Sequence, residues 1–338
     1  MECIAPPYTA SPGGPAGAPH ACPPFALQRF VCDDVDALAE SMSGWSLQMD
    51  QLAPGPFHGT VDHLRLAGMH LVRERVNRAL LKRGTMAGET TSFSIPLETA
   101  GAGYCGGTAL GDRMLLVSTG QALPELRTPD RHDIAVLTVP TAALEALASL
   151  DENDACPALS NEACLIRLGA RRYEALKAFL LASFEAAEAV SPTPAHAQAG
   201  KTLHDALLFE LADLVTAATG TVRLDPTARR RIVDRVRELV TAKPDEPLTV
   251  LDICRAVGTS RRKLQYCFEE MLGTHPAYYL RVLRLNAVRR ELRRHSPATA
   301  SVGDVAYRWG FPHLSRFANH YRHLFGELPS DTLKRPPR

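Results

Sequence analysis

Ten polar side chains suited to contacts with DNA fall on the outward faces of two predicted helices in the last third of the sequence. They are Arg261, Arg262, Gln265, Tyr266 and Glu269 on the first helix, and His313, Ser315, Arg316, Asn319 and Arg322 on the second. Arginine can bond the O6 and N7 atoms of guanine, and Asn or Gln can pair with N6 and N7 of adenine in the major groove. These residue types suit base reading, although any single one of them could equally belong to a solvated helix face.

The two helices belong to an internal repeat. Asp252 and Gly258 recur 52 residues later as Asp304 and Gly310. Beyond the glycines the offset is 53, and the matched positions are Leu264, Phe268, Leu272-Gly273 and Pro276 in the first copy, and Phe317, Tyr321, Phe325-Gly326 and Pro329 in the second. Each copy reads as a short helix, a Gly-containing turn and a longer helix, which is typical of a helix-turn-helix unit. We place these units at 248–272 and 301–325.

The longer helix of each unit is predicted to bury one apolar stripe. The stripes are Leu264, Cys267, Phe268 and Met271 in the first copy, and Phe317, Tyr321, Leu324 and Phe325 in the second. Between the copies, residues 276–294 predict one connecting helix, of which roughly 17 residues span about 25 Å. Such a spacer can hold two recognition helices about one DNA turn, ~34 Å, apart. Its arginines, which could neutralise phosphates or form a solvated face, are Arg281, Arg284, Arg289, Arg290, Arg293 and Arg294.

Charge is distributed unevenly along the chain. Residues 226–338 carry 22 Lys and Arg against 11 Asp and Glu, a net charge of +11, whereas residues 1–225 carry 16 against 26, a net charge of −10. The asymmetry indicates a C-terminal domain that binds a polyanion, attached to an acidic partner domain. With 45% hydrophobic residues and no run of 18 apolar residues, the composition argues against fibrous, wholly disordered and membrane-spanning proteins. Eight scattered cysteines without a C-x-x-C motif fit reduced thiols, and we expect a cytoplasmic protein.

The N-terminal half predicts a different architecture. Residues 1–24, rich in Pro and Gly, predict a disordered tail. From Gly44 to about Pro140, short alternating runs between Gly and Pro turns predict a small antiparallel β-unit. Helical spacing follows at 141–150, 162–188 and 201–218, with a loop at 191–200 and a domain linker at 220–226 whose Asp225-Pro226 opens the next helix. We therefore expect an α+β fold: a β-barrel-like effector-binding domain with helices at 25–222 and an all-α DNA-binding domain at 226–335.

The repeat resembles a known family. Residues 228–333 are similar to the DNA-binding domain of AraC/XylS-type regulators, in which two helix-turn-helix units are joined by a long helix. The segment Gly310–Pro329, G-F-P-H-L-S-R-F-A-N-H-Y-R-H-L-F-G-E-L-P, carries the signature of the second unit. The resemblance implies DNA contacts by Arg262, Gln265 and Tyr266 in the first unit and by Ser315, Arg316 and Asn319 in the second.

A narrower resemblance is to regulators of ethanolamine utilisation operons. It is carried by Gly44–Gly59 (G-W-S-L-Q-M-D-Q-L-A-P-G-P-F-H-G), Phe93–Pro96 (F-S-I-P), Leu251–Gln265 (L-D-I-C-R-A-V-G-T-S-R-R-K-L-Q) and Arg284–Leu292 (R-L-N-A-V-R-R-E-L). It implies ethanolamine as inducer with adenosylcobalamin as co-effector, and it assigns no effector-binding residue. Related regulators with other inducers share much of this pattern.

The sequence thus predicts a transcription regulator, an activator rather than a repressor, that is not an enzyme. Its expected partners are double-stranded promoter DNA, RNA polymerase and a small-molecule effector. The helices at 162–218 could support a homodimer or simply cover their own sheet. Two other classes stay open: a metal-dependent, cupin-like enzyme fused to a DNA-targeting domain, and an architectural DNA binder without an effector.

Two further patterns are weak. Residues 101–106 match G-x-G-x-x-G, but a strand-like run follows where a dinucleotide site needs a helix. His58, His63 and His70 lie in the β-unit with spacing unlike that of a cupin metal site, so we expect no metal site there.

Overall fold

The computed structural model of the chain describes residues 27–119, 122–148, 163–188, 195–216, 219–224, 227–242 and 248–336. The predicted tail at 1–24 and the predicted helix start at Asp225-Pro226 lie outside these residues. No helix in the described ranges is long and apolar enough to cross a lipid bilayer.

The described N-terminal part consists of two antiparallel sheets and their flanking helices. Its strands are β1 Leu27–Cys32, β2 Trp45–Gln51, β3 Gly59–Leu66, β4 Met69–Val76, β5 Leu80–Met86, β6 Thr90–Ala100, β7 Gly103–Cys105, β8 Thr108–Leu110, β9 Met114–Thr119, β10 Ala122–Arg127, β11 Arg131–Pro140, β12 Cys164–Arg167 and β13 Gly220–Arg223. Its helices are α1 Val35–Ser41, α2 Thr141–Ala148, α3 Ala170–Glu188 and α4 Ala195–Thr216. The larger sheet has the order β1-β3-β4-β11-β6-β9-β12-β13, and the smaller sheet has the order β2-β5-β10-β7-β8.

Period-two alternation along the strands sends apolar side chains to both faces of the larger sheet. One face, with Phe93 and Leu137, packs on α3 and α4 through Leu180 and Leu211. The opposite face packs on the smaller sheet, where Met49 shares a core with the valines of β3 and β4.

Three boundaries differ from the sequence prediction. Residues 164–167, predicted as helix, form the buried strand β12. Their buried backbone N–H and C=O groups need hydrogen-bond partners, and strand β9 supplies them. The helix begins only after Gly169. The predicted linker at 220–226 contributes β13, which pairs with β12. The predicted loop at 191–200 is helical from Ala195 onward.

The C-terminal part is helical. Its elements are α5 Ala228–Ala242, α6 Val250–Ala256, α7 Arg261–Leu272, α8 Pro276–Arg294, α9 Val302–Arg308, α10 Leu314–Phe325 and α11 Pro329–Lys334. They share one apolar core, which Leu52, Ala79 and Leu81 of the sheet region also join. The predicted α+β class, with sheets first and helices after, is confirmed.

Candidate nucleic-acid interface

The two helix-turn-helix units have matching dimensions. Helices α6 and α9 each have 7 residues, and α7 and α10 each have 12. The turn occupies residues 257–260 in the first unit and 309–313 in the second, so the extra residue lies within the turn. Gly258 and Gly310 take φ values of +64° and +77° in these turns, a left-handed conformation that glycine adopts without steric cost.

Local capping explains where three of the four helices of these units begin, the exception being α10. In the first unit, Thr249 and Asp252 form a reciprocal capping box, and the Ser260 hydroxyl accepts the Lys263 amide at 3.2 Å. In the second unit, the Ser301 hydroxyl accepts the Asp304 amide at 3.1 Å. Each cap satisfies a backbone donor that the first helical turn leaves free.

The predicted apolar stripes are buried in both units. Phe268, Phe317 and Tyr321 have at most 1% of their surface exposed. Phe268 packs edge-on against Tyr279 of α8 with ring centroids 5.0 Å apart, and the Tyr321 hydroxyl of α10 lies 2.8 Å from the Thr332 hydroxyl of α11. These contacts fix the rotation of α7 and α10 and therefore decide which side chains face outward.

All six residues assigned to DNA by the resemblance are exposed on α7 and α10. On α7, the Arg262 guanidinium donates to the Tyr266 hydroxyl at 3.1 Å and lies 5.5 Å from its ring centroid, so the two form one paired surface. Gln265 donates to Glu269 at 3.0 Å. Ser315, Arg316 and Asn319 lie on the exposed side of α10. Their contacts with bases stay a prediction.

A cationic groove lies between the two units. It has a volume of about 340 Å³ and is bordered by the start of α6, by α8 and by α10. Its charged or titratable lining side chains are all basic: Arg281, Arg284, His313, Arg316 and His320. Burial, together with Arg281, Arg316 and His323, lowers the pKa of His320. Such a groove fits a phosphate backbone, because an anion would relieve this mutual repulsion.

His320 is a residue that the sequence analysis did not single out. Its position four residues after Arg316 on α10 places it on the same helix face, and this spacing is the signal that could have found it.

Three of the six arginines on α8 are held by acidic side chains, which corrects the expectation that the arginines of this helix neutralise phosphates or form a solvated face. Arg290 donates to Asp36 at 2.7 Å and to Asp50 at 2.6 Å. Arg289 pairs with Glu327 at 2.9 Å and is only 5% exposed, and Arg293 lies 3.9 Å from Asp34. These arginines instead hold the helical part against acidic groups, three of which belong to the sheet region.

The remaining arginines of α8 have other surroundings. Arg281 and Arg284 line the groove, where Arg284 also donates to the Leu248 carbonyl at 2.7 Å, and Arg294 is exposed. These three stay candidates for phosphate contacts.

The histidines of the β-unit are partly brought together. His63 Nδ1 lies 3.0 Å from His70 Nε2, and the rings stack with centroids 5.0 Å apart. Burial and the neighbouring His63 lower the pKa of His70 to about 4. Within the described ranges, no group of three or more His, Cys, Asp or Glu side chains has an arrangement that could hold a metal ion.

Residues 253–335 match the model of a helix-turn-helix domain family. The probable thc operon regulatory protein of Rhodococcus erythropolis is 41% identical over 106 residues, which is 31% of this chain and 32% of that protein. A XylDLEGF operon transcriptional activator 1 of Pseudomonas putida is 45% identical over 102 residues, 30% of this chain and 31% of its own. The chain thus spans about a third of the length of these curated relatives.

Among solved structures, the AraC-like transcriptional activator CuxR is similar at 15% identity and a TM-score of 0.40, covering 76% of this chain and 94% of that one. Residues 253–335 are thus similar in sequence to the helix-turn-helix domains of operon regulators. The resemblance to ethanolamine regulators stays a prediction.

Proposed function

We propose that the chain is a sequence-specific DNA-binding transcription regulator of the AraC/XylS type and that it acts as an activator. The observation that carries the proposal is the pair of matched helix-turn-helix units, with polar recognition faces exposed and a wholly basic groove between them. The 19 residues of α8 span about 28 Å and separate the units by a distance close to one turn of DNA.

Each recognition helix contributes a small set of base-reading groups. Arg262 and Arg316 are suited to guanine, and Gln265 and Asn319 to adenine. Tyr266 and Ser315 add hydrogen bonds and shape. Arg281 and Arg284 of α8, which line the groove between the units, contact phosphates, and such contacts set affinity and register rather than base preference.

The sheet region would make the regulator responsive to a small metabolite. An effector that binds one arrangement of the two parts more tightly shifts the population toward it. In that arrangement both recognition helices engage promoter DNA, and the chain contacts RNA polymerase, alone or as a homodimer. The assignment of ethanolamine as the inducer and adenosylcobalamin as the co-effector rests on the sequence resemblance alone.

The first experiment selects binding sites from a random duplex pool with the full chain and footprints the selected site. We expect two protected half-sites about one helical turn apart on one face of the duplex. Protection of a single patch, or no enrichment of any sequence, would overturn the proposal.

Substitutions then separate base readers from phosphate contacts. Arg316→Ala and Arg262→Ala should each weaken binding by about 1–3 kcal/mol and relax the preference at one base pair. Arg255→Ala is the matched control, because Arg255 lies on α6 with 72% of its side chain exposed and outside both recognition faces. Equal weakening on every sequence would reassign the residue to phosphate contact.

A further inference from the structure

The sheet region contacts the same end of both recognition helices. Arg127, at the end of β10, donates to the carbonyls of Leu272 and Gly273 at 2.6 and 2.8 Å, at the C-terminal end of α7. In the second unit, the Gln51 side-chain amide at the end of β2 donates to the Leu324 carbonyl of α10 at 2.7 Å. The last carbonyls of a helix have no partner within the helix, so the sheet region supplies donors that both recognition helices need.

The glycines that end the two helices occupy matched positions of the repeat, and the sheet region lies against both. Gly273 and Gly326 take φ values of +56° and +75°. A Cβ atom on Gly273 would lie 2.7 Å from the Tyr104 ring of β7, and a Cβ atom on Gly326 would lie 3.0 Å from Pro56 of the β2–β3 loop. Both helix ends are therefore in close contact with the sheet region as well as hydrogen-bonded to it.

The connecting helix α8 is bonded to the same part of the sheet. Asn286 is 1% exposed, and its side chain accepts the Gln51 backbone amide at 2.9 Å and donates to the Gln51 carbonyl at 3.0 Å. It thus pairs with the free edge of β2 as a neighbouring strand would. The Tyr278 hydroxyl donates to the Leu52 carbonyl at 2.6 Å. These contacts oppose sliding and rotation of α8 on the sheet.

The contacts leave the reading faces of α7 and α10 open. The N-terminal part of a recognition helix meets the base edges. Arg262 and Gln265 on α7, and Ser315 and Arg316 on α10, are exposed in the first half of each helix, away from the bonded carbonyls. The sheet region therefore holds the recognition helices without competing with DNA for these side chains.

Each recognition helix is fixed at two places. Its apolar stripe packs in the helical core, and its C-terminal end is bonded to the sheet region. Two fixed places determine the direction of a helix axis, whereas packing angles alone vary by about 15° within one class of helix contact. Such a pivot about the middle of a 12-residue helix, about 18 Å long, moves each end by about 2 Å. A displacement of this size is enough to break a hydrogen bond to a base.

We infer that the sheet region is a rigid support that sets the relative orientation of the two recognition helices, and thereby the half-site spacing that the chain accepts, with Arg127 and Gln51 as positioning residues. The choice of spacing rests on the proposed DNA-binding function, but the holding of the helices does not. The base preference within each half-site belongs to the recognition helices themselves.

Pulsed EPR on the full chain without DNA tests the holding of the helices. Nitroxide labels are attached through p-acetylphenylalanine at the exposed positions Lys263 of α7 and Arg322 of α10, so the native cysteines are not modified. We expect a narrow distribution of label distances in the parent chain, and a distribution broader by about 2 Å or more in Arg127→Met, which removes both bonds to α7. The same width in both proteins would overturn the inference.

Two further variants grade the result. Gln51→Met should broaden the distribution less than Arg127→Met, because the Gly55 backbone amide still donates to the Leu324 carbonyl at 3.0 Å. Arg131→Met is the matched control, since Arg131 has 66% of its side chain exposed and pairs with Glu98 on the neighbouring strand. It should keep the parent distribution. Broadening in the control as large as in Arg127→Met would also contradict the assignment.

Operators of altered spacing test the consequence for DNA binding. One base pair added between the half-sites shifts one of them by about 3.4 Å and turns it by about 35° around the duplex. The parent chain should lose affinity by at least about tenfold for this operator, as it would for one mismatched base pair. In Arg127→Met the loss should shrink to about threefold or less, with unchanged base preferences in each half-site.

The outcomes separate the support from a general loss of stability and from the proposed function. A variant that is merely less stable would bind every operator more weakly and keep the parent's spacing preference, which would overturn the positioning role of Arg127. A parent chain that accepts every spacing equally would also overturn it. A narrow label distribution that broadens in Arg127→Met, in a chain that binds no specific DNA, would refute the proposed function alone.

Discussion

Arg290 joins the two parts of the molecule, and its replacement by methionine gives the sharpest test of this arrangement. Its guanidinium donates to Asp36, to Asp50 and to the Met49 carbonyl, and Asp50 has no exposed surface. Arg290→Met would leave Asp50 buried with only Arg83, at 2.9 Å, as its cationic partner. Breaking a buried ion pair from one side costs about 3–5 kcal/mol, so we expect a loss of unfolding free energy in that range.

The matched control is Arg294→Met, one turn further along α8. Arg294 is exposed, and Arg and Met have similar helix propensities, so the control should change the unfolding free energy by no more than about 0.5 kcal/mol. Urea unfolding of both variants at pH 7, followed by circular dichroism, measures the difference.

The loss in Arg290→Met should also depend on pH. Burial alone would raise the pKa of Asp50, but Arg290 and Arg83 together lower it. A depressed carboxyl pKa stabilises the fold above the unfolded value of about 3.9, and this contribution is lost as the pH falls through the folded value. In the variant, burial dominates and the pKa rises, so protonation relieves the orphaned charge at a higher pH.

The gap in unfolding free energy between the parent chain and Arg290→Met should therefore narrow as the pH falls from 7 toward 4. Equal stability of the Arg290 and Arg294 variants would refute the buried ion-pair assignment. A large gap that does not change with pH would instead point to lost packing rather than an orphaned charge.

Three other predictions follow from buried or partly buried groups. Phe268→Ala should lower the unfolding free energy by about 3–5 kcal/mol by leaving an apolar cavity, and an unchanged denaturation midpoint would contradict its burial. DNA binding should raise the pKa of His320, because phosphates would offset the neighbouring arginines. An NMR titration of the His320 ring protons measures this shift, and a pKa of His320 that does not change on DNA binding would place the groove away from the DNA phosphates. Burial raises the pKa of the Cys105 thiol to about 12, so iodoacetamide should label Cys105 only after unfolding; peptide mapping that found rapid labelling of Cys105 in the native chain would contradict its burial.

Local periodicity explains why the helical part was predictable. The turn glycines, the caps at Ser260 and Ser301, and the apolar stripes around Phe268 and Phe317 all act within one or two helical turns, and the repeat shows the pattern twice. Any sequence with these features forms a short helix, a turn and a longer helix whose apolar side is buried. The outward faces follow directly from the buried ones.

The strand boundaries near residues 164 and 220 were not predictable in the same way. The sequence predicts a helix over Cys164–Arg167, and it predicts a linker over Gly220–Arg223, a segment that is short and exposed. Each becomes a strand because the other completes its backbone hydrogen bonds across more than 50 residues. Single-sequence periodicity contains no information on such pairing.

What the sequence determined by itself is the duplicated DNA-binding unit, its basic charge and the identity of its exposed polar residues, because these depend on contacts between near neighbours in the chain. Only the tertiary structure decided the roles of the arginines on α8, which are chemically identical but differ in what the sheet region places opposite them. It also placed Arg127 against the end of α7 and Gln51 against the end of α10. Those relations depend on which distant strands and helices pack together, and burial then gives each charge a partner or leaves it without one.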